Sequence, residues 1–179
     1  MQIKVSKTLL ECAQLFKAKN DIRYYLNGIC FKADGRVCST NGHMAFIGGK
    51  HEGKVKDDLI ISIQKAPTKR YEYAIIDTET LVVTYFNDAG AVKVGVGLCE
   101  LIDGKFPDID RVIPKSRQAC DIIGFRAEYL ARIAPAAKLF NPNWESVTLD
   151  LNGSDGSAIT KLKSHFGETG LIVVMPMRL

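Results

Sequence analysis

Residues able to carry chemistry are scattered along this 179-residue chain, and their spacing argues against catalysis. A reaction centre needs a nucleophile beside a base, two poised carboxylates or a metal cluster. His43, His51 and His165 show neither H-x-x-x-H nor H-E-x-x-H spacing, which would set two imidazoles on one helix face, so each reads as a surface or structural residue. Asp108 and Asp110 flank Ile109, but Lys105 and Arg111 beside them make a solvated charge cluster a better reading than a metal site. The glycine pairs Gly48-Gly49 and Gly95-x-Gly97 do not open a helix in the G-x-G-x-x-G arrangement that cradles phosphate. No catalytic residue, metal or cofactor is therefore expected. Binding is the stronger reading, and an enzyme built around His43 the weaker alternative.

Two stretches suit binding. In Asp21-Ile22-Arg23-Tyr24-Tyr25-Leu26-Asn27-Gly28 two tyrosines adjoin an arginine. Such rings stack on bases or lie against sugar while the cation meets phosphate; equally, one ring fills a core and its neighbour is merely exposed. The run Val173-Val174-Met175-Pro176-Met177-Arg178-Leu179 ends in apolar residues, as a docked terminus does. Its methionines offer an adaptable peptide-binding surface, or the run is a last strand filling the core.

Composition sets the frame for these stretches. With 46% hydrophobic and 25% charged residues the chain is of ordinary globular make-up. Twenty-four Lys and Arg against twenty Asp and Glu, a net charge of +4, permit an anionic partner without locating it, because phosphate neutralisation is local. The start MQIKVSKTLL lacks a signal peptide's apolar stretch, and no window approaches the roughly 20 apolar residues that span a bilayer, so a cytoplasmic protein without a membrane partner is expected. Five cysteines, Cys12, Cys30, Cys38, Cys99 and Cys120, form no C-x-x-C pair and read as reduced core thiols.

The elements that must position these residues recur in order. Gln2 to Val5 alternates like a strand, and Ser6 offers an N-cap to a helix from Lys7 to about Lys19. Leu9, Cys12, Ala13 and Phe16 form its apolar stripe, opposite Lys7, Glu11, Gln14 and Lys17. Strands follow at Gly28 to Lys32, Val37 to Ser39 and Met44 to Ile47, the first two joined by a turn at Ala33-Asp34-Gly35. A second series has strands at Leu59 to Ile63, Tyr73 to Ile76, Leu81 to Phe86 and Val92 to Leu98, with a turn at Asn87-Asp88-Ala89-Gly90. It has no room for a helix, since only Gln64 to Glu72, with Pro67 among them, separates its first two strands. Beyond a connector from Leu101 to Pro114, Cys120 to Phe125 reads as a strand and Arg126 to Phe140 as a helix striped by Leu130, Ile133 and Ala137, broken or kinked at Pro135. Val147 to Leu151, Ala158 to Lys163 and Leu171 to Met175 complete three β-α-β-β-β half-units, the middle one without its helix.

The same stretches resemble the bacterial DNA polymerase III β sliding clamp family. The matching motifs are Tyr24-Tyr25 within DIRYYLNG, Thr40-Asn41-Gly42-His43, Asp103-Gly104-Lys105-Phe106-Pro107-Asp108 followed by Arg111-Val112-Ile113-Pro114, and the terminal VMPMRL, all in the family's order. Residues 1–114 resemble the clamp's middle domain and residues 115–179 the second half of its last domain, including Gly124-Phe125 and Tyr129. The resemblance implies an α+β DNA-clamp fold with outer antiparallel sheets and inner helices, shortened to about half a clamp subunit.

It also implies a function and its sites. Clamp protomers close head to tail around duplex DNA, so Lys7, Lys17, Arg23, Tyr24 and Tyr25 would touch DNA, and no enzyme activity is expected. The pocket for the clamp-binding peptide of polymerases and loaders would comprise Leu26, Thr40, Gly42, His43, Pro107, Val112, Tyr129, Val173, Val174, Met175, Pro176 and Met177, with Arg178 and Leu179 beside them. Asn41, Met44 and Ala45 depart from the family's acidic, basic and leucine residues, which alters the pocket rim. A ring of about twelve half-units needs four such chains, or six if only the helix-bearing halves count. The alternative is a decoy that captures clamp-binding peptides, or a host clamp, without encircling DNA.

Overall fold

A computed structural model of the chain describes residues 1–64, 67, 70–87, 91–143 and 146–177. The first half-unit runs β1 (Gln2–Ser6), α1 (Lys7–Phe16), β2 (Ile29–Phe31), β3 (Arg36–Thr40) and β4 (Met44–Lys50). The second has four strands and, among the described residues, no helix: β5 (Leu59–Ile63), β6 (Tyr73–Asp77), β7 (Val82–Phe86) and β8 (Lys93–Ile102). The third holds α2 (Ala127–Leu130), α3 (Ile133–Phe140), β9 (Ala158–Lys163) and β10 (Thr169–Val174).

The strands form one antiparallel series, β1-β6-β7-β8-β5-β2-β3-β4-β10-β9. Its order exposes an internal two-fold relation. Each of the first two half-units gives its leading strand to the other, β1 pairing with β6 and β5 with β2. The β5–β8 pairing has its counterpart in a single bridge between Lys4 and Glu52, just past β4. The third half-unit extends the first through β10 on β4, with Val173 opposite Ala45 and Val174 opposite Met44.

Helix α1 starts where the Ser6 hydroxyl accepts the Leu9 N–H, and it buries Leu9, Leu10, Cys12, Ala13 and Phe16. It stops at Phe16, short of the expected Lys19. Lys17 is already extended, the Ala18 N–H turns to the Leu26 carbonyl, and the Asn27 amide clips the loop by accepting from the Asp21 N–H and donating to the Asp21 carbonyl. These loop hydrogen bonds replace a further helical turn.

Pro135 breaks the second helical stretch, but ahead of itself. Its ring would strike the carbonyl four residues earlier, so the chain turns at Ala131-Arg132 and Pro135 sits in the first turn of α3, where its missing N–H costs nothing. Leu130 thereby leaves the stripe and is exposed, while Ile133, Ala136, Ala137 and Phe140 are buried. Two expected strands are absent. Cys120 to Phe125 contributes one bridge, Gly124 to Met177, and Val147 to Leu151 one, Asp150 to Ile159. Isolated bridges of this kind leave most backbone groups to solvent or turns, so alternation of apolar residues alone did not produce a ladder there. Of the expected 87–90 turn, residues 88–90 lie outside the described residues.

One apolar core joins α1 and α3 to the inner sheet surfaces, with Phe46 between Phe16 and Phe140 at ring distances of 6.0 and 6.3 Å. A second cluster, Cys30, Cys38, Ala45, Ile60, Phe106, Ile109 and Val173 among it, seats the 103–112 segment on the sheet. All five cysteines are free, and burial raises the pKa of Cys30 to about 12.

Candidate peptide and nucleic-acid interfaces

The hairpin turn between β3 and β4 is shaped by its own polar residues. Asn41 Oδ1 accepts from the His43 and Met44 N–H groups, and the Thr40 hydroxyl accepts from Gly42 while donating to the Met44 carbonyl. Gly42 holds φ +88°, a conformation that favours glycine. This geometry projects His43 outward, where it stacks on Tyr129 at 5.7 Å. Arg126 lies over the other ring, 5.5 Å from its centre, and donates to the Tyr129 hydroxyl.

The end of β10 joins the same place. The Met175 N–H donates to the His43 carbonyl at 2.9 Å and the Met177 N–H to the Gly124 carbonyl at 2.8 Å. His43, Met175 and Met177, brought together from two distant parts of the chain, therefore share one surface over the buried Tyr129 ring, with Met177 45% exposed. Pro176 is half-buried between the methionines. Leu26, Thr40, Val173 and Val174 are buried and act as its support rather than its surface. Pro107 is half-buried and Val112 exposed, both on the segment that packs against the Ala45–Val173 side. Arg178 and Leu179 lie outside the described residues.

That segment is pinned by groups the sequence reading missed. Arg36 of β3 makes a two-pronged pair with Asp110 at 2.6 and 2.9 Å, and the Ser157 hydroxyl donates to the Val112 carbonyl at 2.6 Å. The Arg36 guanidinium holds the Asp110 and Asp34 carboxyls below the usual carboxylate range. Asp108 pairs with Arg111 instead, so each of the two aspartates faces an arginine. A signal was present in the alternation of Asp34, Arg36 and Asp110, but partners 74 positions apart are not legible without the fold.

The expected DNA-contacting residues are less uniform. Tyr24 is 57% exposed, whereas Tyr25 is half-buried against the second cluster, beneath Gly104. One ring is thus free to stack and the other is structural. Arg23 is tied to Asp21 through two short contacts, which keep the Asp21 carboxyl down at about 2. Lys17 donates to the Asn27 carbonyl, and burial together with Lys19 lowers its pKa. Lys7 stands 5.6 Å over the Tyr71 ring. His51 is a buried structural imidazole against Phe31 and the Lys32 carbonyl, and His165 lies exposed in the β9–β10 hairpin. Among the described residues no helix is long and apolar enough to cross a membrane.

Comparisons with known proteins agree with this architecture. No family model matches the chain. A β sliding clamp from Salmonella typhimurium is 30% identical over 154 residues, covering 80% of this chain and 40% of the relative. One from Haemophilus influenzae is 32% identical over 152 residues, covering 81% and 41%. The chain thus spans about two fifths of the length of these relatives. Among solved structures, a sliding clamp (DNA polymerase III subunit β) from Pseudomonas aeruginosa bound to griselimycin superposes with a TM-score of 0.67 at 18% identity, covering all of this chain and 66% of that one. The corresponding clamp from Bartonella birtlesii, also bound to griselimycin, gives 0.67 at 18%, covering 99% and 66%.

Proposed function

From the premise that this chain is a relative of the bacterial β sliding clamps and carries their fold, we propose that it is a shortened, non-enzymatic clamp that closes into a homo-oligomeric ring around duplex DNA and tethers a polymerase. The observation that carries the reading is the collinear likeness to β sliding clamps over four fifths of the chain. Residues 1–114 serve as a full clamp domain and residues 115–179 as half of one.

In this reading Tyr24 and the lysines around the end of α1 face the DNA, holding it by diffuse charge and ring contact rather than by base readout. Arg23 orients the turn through Asp21 and adds little free charge. His43, Met175, Pro176 and Met177 form the surface of the peptide pocket over the buried Tyr129 ring, with Pro107 and Val112 at its edge. The soft methionines accept a buried apolar anchor, and the Arg36–Asp110 clip sets the rim. Met44 in place of a basic residue is buried, so the rim loses a cation and selects less acidic peptides than the family's pocket.

Retention on a nicked DNA circle, lost on linearisation, is the test, because only a closed ring is trapped topologically. Light scattering then counts chains of 19.8 kDa: about 79 kDa for four, the number favoured by three half-units per chain, or about 119 kDa for six. Griselimycin, bound to two of the similar clamps, is tested as a ligand of the same surface: it should bind wild type but not a Tyr129→Ala, Met175→Ala double variant. A monomer at every concentration that still binds clamp-binding peptides would overturn the ring and establish the decoy. A clamp loader is a further partner if the ring fails to load unaided.

A further inference from the structure

The internal two-fold relation leaves one position unfilled. In the first half-unit α1 follows β1 and lies across β3 and β4. Its counterpart in the second would follow β5 and lie across β7 and β8, beside α1. A cleft of about 990 Å³ occupies that place. Its walls are the outer side of α1 at the half-buried Gln14 and Leu15, with the buried Leu10 behind them, the end of β5 at Ile63, and Leu139 of α3. Its floor is the pair Tyr71 and Tyr85, packed edge to face at 4.9 Å. Tyr85 is 0% exposed and its hydroxyl has no hydrogen-bond partner.

The rim differs from the floor in charge. Lys17 and Lys19 border the mouth together with Lys138, against one acidic residue, Glu11, deeper on α1 beside Tyr71. An occupant must therefore be apolar on one side, bring anionic groups to one edge, and have the shape of the helix that the two-fold relation calls for.

We propose that this cleft receives an amphipathic α-helix of a partner protein, its apolar stripe on the half-buried Leu15 and Leu139, with the buried Ile63 and Tyr71 beneath them, and its acidic edge toward Lys17 and Lys19. Apolar residues at i, i+3, i+4 and i+7 of such a helix would lie on one side and face the cleft. The site lies apart from the His43–Tyr129 surface. It shares Lys17 and Lys19 with the face proposed to meet DNA, so helix and DNA compete for them; peptide binding is measured without DNA, and circular-DNA retention is read separately.

The test uses a labelled peptide of about 12 residues, with leucines at those four positions and glutamates along one flank, against the full-length protein by fluorescence anisotropy and circular dichroism. A helix this short is mostly unfolded alone, so binding must be accompanied by a gain in helicity. Binding is expected to weaken at least tenfold when the glutamates are replaced by lysines, and at least tenfold in Leu139→Trp, which fills the cleft. Lys19→Glu, at the exposed rim, should weaken the acidic peptide and strengthen the basic one while leaving the thermal midpoint unchanged, which separates a lost site from a lost fold. Absence of saturation at about 1 mM peptide, equal binding of both peptides, or indifference to both variants would overturn the proposal. Competitive binding of laurate with no peptide helicity would also overturn it, in favour of a small amphiphile.

Discussion

The first two half-units, Gln2–Lys50 and Leu59–Ile102, share one strand plan and close their cores by different means. In the first, α1 lays five buried side chains over β3 and β4. In the second, two large rings, Tyr71 just before β6 and Tyr85 on β7, fill the space below the missing helix. Rings supply apolar area without a helix, but they do not supply a helix's width, so a cleft remains. They also bring hydroxyls into a place where burial pushes the Tyr85 pKa up to about 12 and leaves its oxygen without a partner. A strand scaffold thus tolerates loss of a covering helix if aromatic residues take over the core, at the expense of an unsatisfied polar group.

The largest effect separating the two halves should come from Phe46. Between Phe16 and Phe140 it joins α1, the sheet and α3, so Phe46→Ala is expected to cost about 3–5 kcal/mol in urea unfolding. A loss under about 1 kcal/mol would mean that the helix-bearing core is as loosely filled as its neighbour. Next is Gly170, where a Cβ would meet Phe140 at 2.7 Å and Phe46 at 2.9 Å. Gly170→Ala should cost about 1–3 kcal/mol by displacing these rings from their seats. A neutral result would show that the β4–β10 seam can shift and that the third half-unit is not rigidly joined to the first.

Much of this contrast was legible in the sequence. Leu59–Ile63 and Ala158–Lys163 were readable to the residue because β-branched runs were bounded by turn-forming or charged neighbours. The absent helix was readable from the short interval between β5 and β6. What failed was context of a different kind. The end of α1 is set by hydrogen bonds of Asn27, well beyond the helix, and Val147–Leu151 had strand-like letters but meets β9 only at the Asp150–Ile159 bridge. For the surface around His43, the residue types were visible and their convergence was not. Nothing in the letters shows that the Met175 N–H meets the His43 carbonyl. For the Tyr24-Tyr25 pair the letters did not say which ring would pack: Tyr25 is half-buried against the second cluster and Tyr24 is exposed.

Tyr85→Phe sharpens the comparison on the other side. Removing an unpartnered buried hydroxyl while keeping the ring should leave stability unchanged or raise it by up to about 1 kcal/mol. A loss of more than about 1 kcal/mol would mean that the hydroxyl is hydrogen-bonded to a water in the cleft and that the second core is better satisfied than its protein contacts alone provide.

The smallest effect concerns how the end of the second half-unit is fastened to the first. Arg36 on β3 holds Asp110 and Asp34, lowering both carboxyl pKa values. A lowered pKa in the folded state contributes stability that is complete above the ordinary carboxylate value of about 4 and is lost as pH falls through the folded values. Because these groups are largely solvent-exposed, the thermal midpoint should move little. The local signal should be clear: carboxyl NMR titrations of Asp34 and Asp110 should have midpoints below about 4 in wild type and return toward about 4 in Arg36→Ala. The amides of Ile109–Val112 should exchange faster in that variant, while those of β7 should not change. Equal exchange in both segments would show that Arg36 supports the whole sheet rather than fastening the 103–112 segment beside the peptide surface.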